Sequence, residues 1–132
     1  MQPKSLSIWT HHLRRIEWHA LNFSPQGCGI TLNATAVTVG SGTQMRELYR
    51  SAGDKNMMIV GGSSTTVSVG GYLIAGGHSP LSPLYGMGAD NVLELEVVTS
   101  DGKLRIANEC TNTDLFWAIR GVSTFTPILT PI

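Results

Sequence analysis

Glycine is spread unevenly along this chain. Of its fifteen glycines, eight (Gly61, Gly62, Gly70, Gly71, Gly76, Gly77, Gly86 and Gly88) fall between residues 61 and 88. Glycine adds no side-chain packing and loses much backbone entropy on folding, so such density needs a cause. One cause is structural, tight turns at the corners of a sheet. The other is chemical: a bare main chain lets a large flat or anionic ligand come close, and its amides donate hydrogen bonds to that ligand. The chemical cause is the preferred reading of the block Gly61 to Ser79.

Other chemistries fail on spacing. Gly40-Ser41-Gly42 follows a strand-like segment and opens a helix-like one, the setting of a dinucleotide fingerprint, where helix-end amides face a pyrophosphate. The third glycine is missing, with Met45 and Arg46 in its place, and no acidic residue ends the next apolar run, Met57 to Val60. A plain strand-to-helix turn is the expectation. No Gly-Lys-Ser or Gly-Lys-Thr follows a glycine cluster, and no G-x-S-x-G turn occurs. His11, His12 and His19 lie near Glu17 but show no metal-ligand spacing, so no metal site is expected. Ser79 follows His78 in sequence, which does not make a catalytic pair. No residue is assigned as catalytic.

Composition narrows the class. The chain has 132 residues, 42% hydrophobic and 14% charged, which fits one folded domain. Nine basic and nine acidic residues cancel, leaving no basic stripe for nucleic acid. No apolar run approaches the roughly 20 residues needed to cross a bilayer, and Met1-Gln2-Pro3-Lys4-Ser5 lacks the apolar core of a secretory signal. Compartment stays open. Cys28 and Cys110 form neither a metal pair nor a C-x-x-C motif. They read as two unpaired thiols or small buried groups, in preference to one disulfide. Asn22-Phe23-Ser24 and Asn33-Ala34-Thr35 match the glycosylation sequon, which matters only if the chain enters the secretory pathway.

The elements that must position the glycine block follow from periodicity. Leu6 and Ile8, then Ile16 and Trp18, alternate as in half-buried strands, and Ala34 to Val39 reads as another strand. Met45, Leu48, Tyr49 and Ala52 recur at helical spacing, with Gly53-Asp54 as the stop. Met57 to Val60 is expected to be a buried strand. Leu93, Leu95 and Val97 share one face of a strand; Asp101-Gly102 turns the chain into a second carrying Leu104 and Ile106. Asn112 or Thr113 caps a helix over Asp114 to Ile119 that Gly121 ends. Val122 to Ile132 shows no period. Antiparallel strands with helices between them predict an α+β domain.

One family matches these residues in order. The run Gly-Gly-Tyr-Leu-Ile-Ala-Gly-Gly-His-Ser-Pro-Leu-Ser-Pro-Leu-Tyr-Gly-Met-Gly-Ala-Asp-Asn, from Gly70 to Asn91, resembles the FAD-binding domain of fungal, berberine bridge enzyme-like FAD-linked oxidases. These belong to the vanillyl-alcohol oxidase superfamily. The likeness continues through Val92-Leu93-Glu94, Val97 to Gly102, Ala107-Asn108-Glu109 and Asp114 to Gly121, and it includes Leu6 to Leu13. It implies the second subdomain of a p-cresol methylhydroxylase-type FAD-binding domain, a mainly antiparallel sheet with flanking helices. The implied cofactor is FAD. Its implied contacts are Ser64, Thr66, Val67, Ser68, Gly70, Gly71, Gly76, Gly77, His78 and Ser79 near the flavin ring and ribityl chain. Tyr85 shapes a turn between contacts, and Asp90, Asn91 and Val92 lie toward the adenosine end. The implied chemistry is hydride transfer from a small organic molecule to flavin, with dioxygen reoxidising it.

Departures from the family pattern are informative. Ser64 stands where doubly attached members place cysteine, so a cysteinyl-flavin bond is excluded. Ser68 and Ala75 replace usual glycines and are expected to crowd the cofactor. The family's flavin-attaching histidine and phosphate-cradling loop lie upstream of the region matching Gln2-Pro3-Lys4. Residues 1–121 are therefore expected to be a partial FAD-binding domain and residues 122–132 a divergent tail, with Val122 to Pro127 reading like an altered frame or unspliced end. A partner chain supplying the missing subdomain, or a non-catalytic remnant, is the alternative. Full-length relatives are often secreted.

Overall fold

The computed structural model describes residues 6–121 and, as backbone, residues 128–130. Among the described residues two small antiparallel sheets and four short α-helices make an α+β arrangement, as the pattern predicts. Strands β1 (Ile16–His19) and β2 (Ala36–Val39) pair with Ile16 opposite Val39 and Trp18 opposite Val37. Alternate residues of a strand share a face, so Ile16, Val37 and Val39 can all meet helix α1 (Met45–Gly53) and helix α2 (Val69–Ile74). Their shared core is Met45, Leu48, Val69 and Tyr72. Burying Met45 and Leu48 contributes roughly 1.5–3 kcal/mol each. The Glu47 carboxylate accepts the Gln44 amide at 2.9 Å and pairs with Arg14 at 3.1 Å, fixing the start of α1.

The second sheet has the order β4-β3-β5, with β3 (Glu94–Val98) between β4 (Leu104–Asn108) and β5 (Ile128–Thr130), all antiparallel. The β3–β4 hairpin turns at Asp101-Gly102 as expected, but only Gly102 takes a positive φ, at 75°. Thr99 Oγ1 and the Lys103 amide donate to the Asp101 carboxylate, and Arg105 pairs with it at 3.0 Å. The Thr99 hydrogen bond, more than those of Lys103 and Arg105, draws the Asp101 carboxyl below its ordinary range. Helix α4 (Thr113–Ile119) sets Ile119 against Val97, with Ile74 of α2 in the same cluster. Helix α2 therefore joins both cores. Asn112 precedes α4 but does not cap it through its side chain. Instead it sits in the left-handed region at φ 47° and its amide group donates to the Ile106 carbonyl.

Several sequence expectations change. Cys28 and Cys110 are not free thiols: they form a disulfide, Cα atoms 5.2 Å apart and 82 residues apart in sequence. That spacing gives no hint of the pairing. It arises because the arm between β1 and β2, closed by a Phe23–Leu32 bridge, reaches across to the turn after β4. Asn108, fully buried, reinforces the contact by donating to the Gln26 carbonyl at 2.9 Å and accepting the Cys110 and Thr111 amides at 2.8 and 2.7 Å. Leu6 and Ile8 are irregular and exposed rather than strand. So is Met57–Met58, where Met58 is 72% exposed; an apolar run needs a neighbouring strand to become one, and among the described residues none pairs with it. The aperiodic C-terminal segment does contain a strand, β5. The readings of Met1 to Ser5 and of Val122 to Pro127 lie outside the described residues.

Candidate functional site

The glycine block is not one loop. Residues 63–67 run exposed and antiparallel past the start of α1, with the Met45 and Arg46 amides donating to the Val67 and Thr65 carbonyls at 3.0 Å each. Ser68 then stands at the start of α2. The Gly70-Gly71 pair lies inside that helix, although glycine weakens helices. Contact explains Gly70: a Cβ there would lie 2.8 Å from the Ser41 Cβ. Gly71 differs, for a Cβ there meets nothing within 4 Å and the residue is exposed.

Helix α2 ends in a turn at Gly76 and Gly77, both left-handed at φ 91° and 74°, which other residues rarely adopt. The Gly88 amide donates to the Gly77 carbonyl at 2.7 Å and the Ala89 amide to the Gly76 carbonyl at 3.0 Å, so this turn is laced to the one at residues 88–91. Tyr72, which sequence reasoning did not single out, organises the region. Its ring lies where side chains at Gly62, Gly77 and Gly88 would go, and its hydroxyl donates to the Gly77 carbonyl at 2.8 Å. Burial raises its phenol pKa, with the Tyr49 phenol adding to the effect. The missed signal is its place between two glycine pairs at helical spacing from Val69.

The structural cause of glycine density therefore accounts for Gly62, Gly70, Gly77 and Gly88. It does not account for the amides. Among the described residues, those of Gly71, Gly77 and His78 donate to no protein acceptor, although Gly77 is buried as a residue. Amides without a protein acceptor are left to donate to water or to a ligand. The Ser79 amide is used by the Ser82 hydroxyl at 3.2 Å, while Ser79 Oγ accepts the Leu81 amide at 3.1 Å.

Tyr85, in helix α3 (Ser82–Tyr85), and Asn91 line an open groove of about 420 Å³ with Trp18, Met57 to Val60 and Leu81. Asn91 donates to the Tyr85 and Met87 carbonyls at 2.9 and 2.8 Å, holding the turn, and Asp90 accepts the Met87 amide at 2.8 Å. Of the sequence-predicted residues, Gly76, Gly77, His78 and Ser79 form one turn. Ser64, Thr66, Val67 and Ser68 form the exposed approach to α2, with Gly70 and Gly71 in its first turn. Only Tyr85 and Asn91 share the groove, with Asp90 and Val92 beside them. Ser68 and Ala75 take ordinary negative φ angles of −81° and −89°, so neither position requires glycine for its backbone.

The Gly40–Gly42 turn is a turn only. Its amides donate to the Arg15 and Leu13 carbonyls at 2.7 and 2.9 Å, and side chains there would strike the main chain of Leu13 and Thr10. Among the described residues no group of three acidic, histidine or cysteine side chains is arranged to hold a metal, and no helix is long and apolar enough to cross a membrane.

A family model described as an FAD binding domain matches residues 4–108. FAD-linked oxidoreductase phmC of Phaeosphaeria nodorum is 48% identical over 118 residues, covering 89% of this chain and 27% of that protein. FAD-linked oxidoreductase OXR2 of Pyricularia oryzae is 48% identical over 92% of this chain and 21% of its own length. Among solved structures, the VAO-type flavoprotein MtVAO615 from Myceliophthora thermophila C1 superposes with a TM-score of 0.81 at 36% identity, covering 93% of this chain and 22% of that one. Physcomitrella patens BBE-like 1 superposes with a TM-score of 0.68 at 33% identity, over 72% of this chain and 21% of that one. The chain thus spans about a fifth to a quarter of these relatives.

Proposed function

The chain belongs to the FAD-binding domain family of FAD-linked oxidoreductases, and from that premise we propose that it forms one wall of a flavin site in an oxidase acting on a small organic substrate. The observation that carries this is the set of unused amides at Gly71, Gly77 and His78, beside a helix start bare of side chains at Gly71. These residues fit a flavin. A flat, hydrogen-bond-accepting ring can lie against Gly71 without meeting a Cβ, and between residues 61 and 89 no acidic or strongly basic side chain opposes it.

When bound, FAD supplies hydride acceptance from the substrate and electron transfer to dioxygen. The protein's part on this wall is orientation. Gly76 to Ser79, tied through Tyr72 and Gly88, hold their amides in a fixed direction. Ser64, Thr66, Val67 and Ser68 border the ring side, and Asp90, Asn91 and Val92 border the adenosine side, next to the groove that Tyr85 lines. Ser64 has no thiol to bond the ring, so no cysteinyl–flavin bond forms at this position.

Affinity depends on what completes the site. Each hydrogen bond to a charged group is worth about 1.5–3 kcal/mol, roughly one to two orders of magnitude in affinity, so every further donor beside these amides tightens the hold on flavin.

The test is flavin retention. Protein carrying this chain is desalted after incubation with FAD. Quenched flavin fluorescence and a shifted visible band are the expected result. A folded protein that holds no flavin at high micromolar FAD contradicts the reading.

A further inference from the structure

We propose that Asn33 carries an N-linked glycan. Two separate observations meet in one arm of the fold. The first is the Cys28–Cys110 disulfide, which holds the tip of the β1–β2 arm against the turn after β4. Disulfides form and persist in oxidising compartments, and in eukaryotic cells the compartment that forms them also glycosylates asparagine. The second is a pair of sequons on that same arm, one on each side of the Phe23–Leu32 bridge.

The two sequons are not equivalent. Asn33 is exposed in a bend, Thr35 is exposed, and neither side chain is engaged in a hydrogen bond among the described residues. Asn22 is exposed as well, but its sequon ends in Ser24, whose hydroxyl is paired with Thr31 Oγ1 at 2.8 Å and which precedes the buried Pro25. Glycosylation requires a surface segment with room for a bulky group, and Asn33 meets that requirement better.

In the reaction Asn33 Nδ2 bonds to the anomeric carbon of a polyprenyl-pyrophosphate-linked oligosaccharide. The bond from that carbon to the pyrophosphate oxygen breaks. The pyrophosphate leaves with the electron pair and Nδ2 loses one proton, with no change of oxidation state. The inference does not rest on flavin binding.

The test expresses the protein in a eukaryotic host behind a cleavable secretion leader. Cell and medium fractions are read together, so that poor folding of a variant does not hide the result. The expected outcome is a slow-migrating form that collapses on treatment with peptide N-glycosidase. Asn33→Gln and Thr35→Ala each remove that shift entirely, Thr35→Ser keeps it, and Asn22→Gln leaves it unchanged. A glycosidase-insensitive protein overturns the proposal, as does a shift that survives Asn33→Gln and vanishes with Asn22→Gln.

Discussion

Two glycine turns in this molecule look alike in sequence and differ in what they do. At Gly40 and Gly42 both amides bond to main-chain carbonyls of Arg15 and Leu13, and crossing backbone fills the space a side chain would need. At Gly76 and Gly77 the first amide bonds to the Leu73 carbonyl at 3.1 Å, while the Gly77 amide and that of His78 bond to nothing described. Glycine marks close approach in both places. The two turns differ in their amides, bonded to the chain at the first and free of it at Gly77 and His78, and glycine spacing alone carries no such information.

The largest effect expected from this contrast is at the first turn. Gly42→Ala forces a methyl into the Thr10 carbonyl, where only backbone movement can relieve the clash. A loss of about 3 kcal/mol is expected, read as a lower urea midpoint at unchanged slope. The flavin affinity of the folded fraction should be unaltered. A Gly42→Ala protein of full stability breaks the comparison, because the first turn would then not need its glycines for packing.

Gly77→Ala tests the second turn. Its methyl would lie 2.9 Å from the Gly88 Cα and from the Tyr72 ring, at φ 74°, so a loss of about 2 kcal/mol is expected. Here flavin affinity should fall as well, by about tenfold or more, because the turn that aims the free amides is displaced. Fluorescence titration of protein that remains folded separates the two losses.

The residues that made the fold legible are those whose pattern is local. Met45, Leu48 and Ala52 announced α1, and Leu95 and Val97 with Asp101-Gly102 announced the hairpin, because helical and strand periods are written within a few positions. What was hidden depends on distant partners. Gly70-Gly71 forms helix only because α2 is held by Ser41 and by the two cores, which outweighs glycine's poor helix propensity. Met57 to Val60 had a strand's composition but found no strand beside it. The Cys28–Cys110 pairing required the β1–β2 arm to cross to the second sheet. In the site, the motif order identified the family from sequence, whereas the division between packed and open glycines needed coordinates.

Gly71→Ala sharpens the comparison further, because it should move stability and binding in opposite directions. The position is helical with open space beyond it, so alanine should add about 0.5–1 kcal/mol by restricting the unfolded chain. The same methyl would stand between the helix start and a ring laid against it, weakening flavin binding by about tenfold. A stabilised variant with unchanged flavin affinity removes Gly71 from the proposed wall and leaves Gly77 and His78 as its amides.

The smallest effect is expected from pH. Burial raises the phenol pKa of Tyr72, and of Tyr49, above the ordinary value of 10.0, so the folded protein holds those protons more firmly than the unfolded chain does. The stability this provides is fully present below about pH 10 and is lost as pH climbs from there through the folded-state values. Tyr72 donates to the Gly77 carbonyl and has no counterpart at the Gly40–Gly42 turn, so alkaline loosening should start at the second turn. Tyr72→Phe removes one titrating group, and its urea midpoint should fall less steeply above pH 10 than that of the parent protein. Equal slopes would mean that the Tyr72 proton plays no part in holding the turn, leaving its ring contacts with Gly77 and Gly88 as the whole of its contribution.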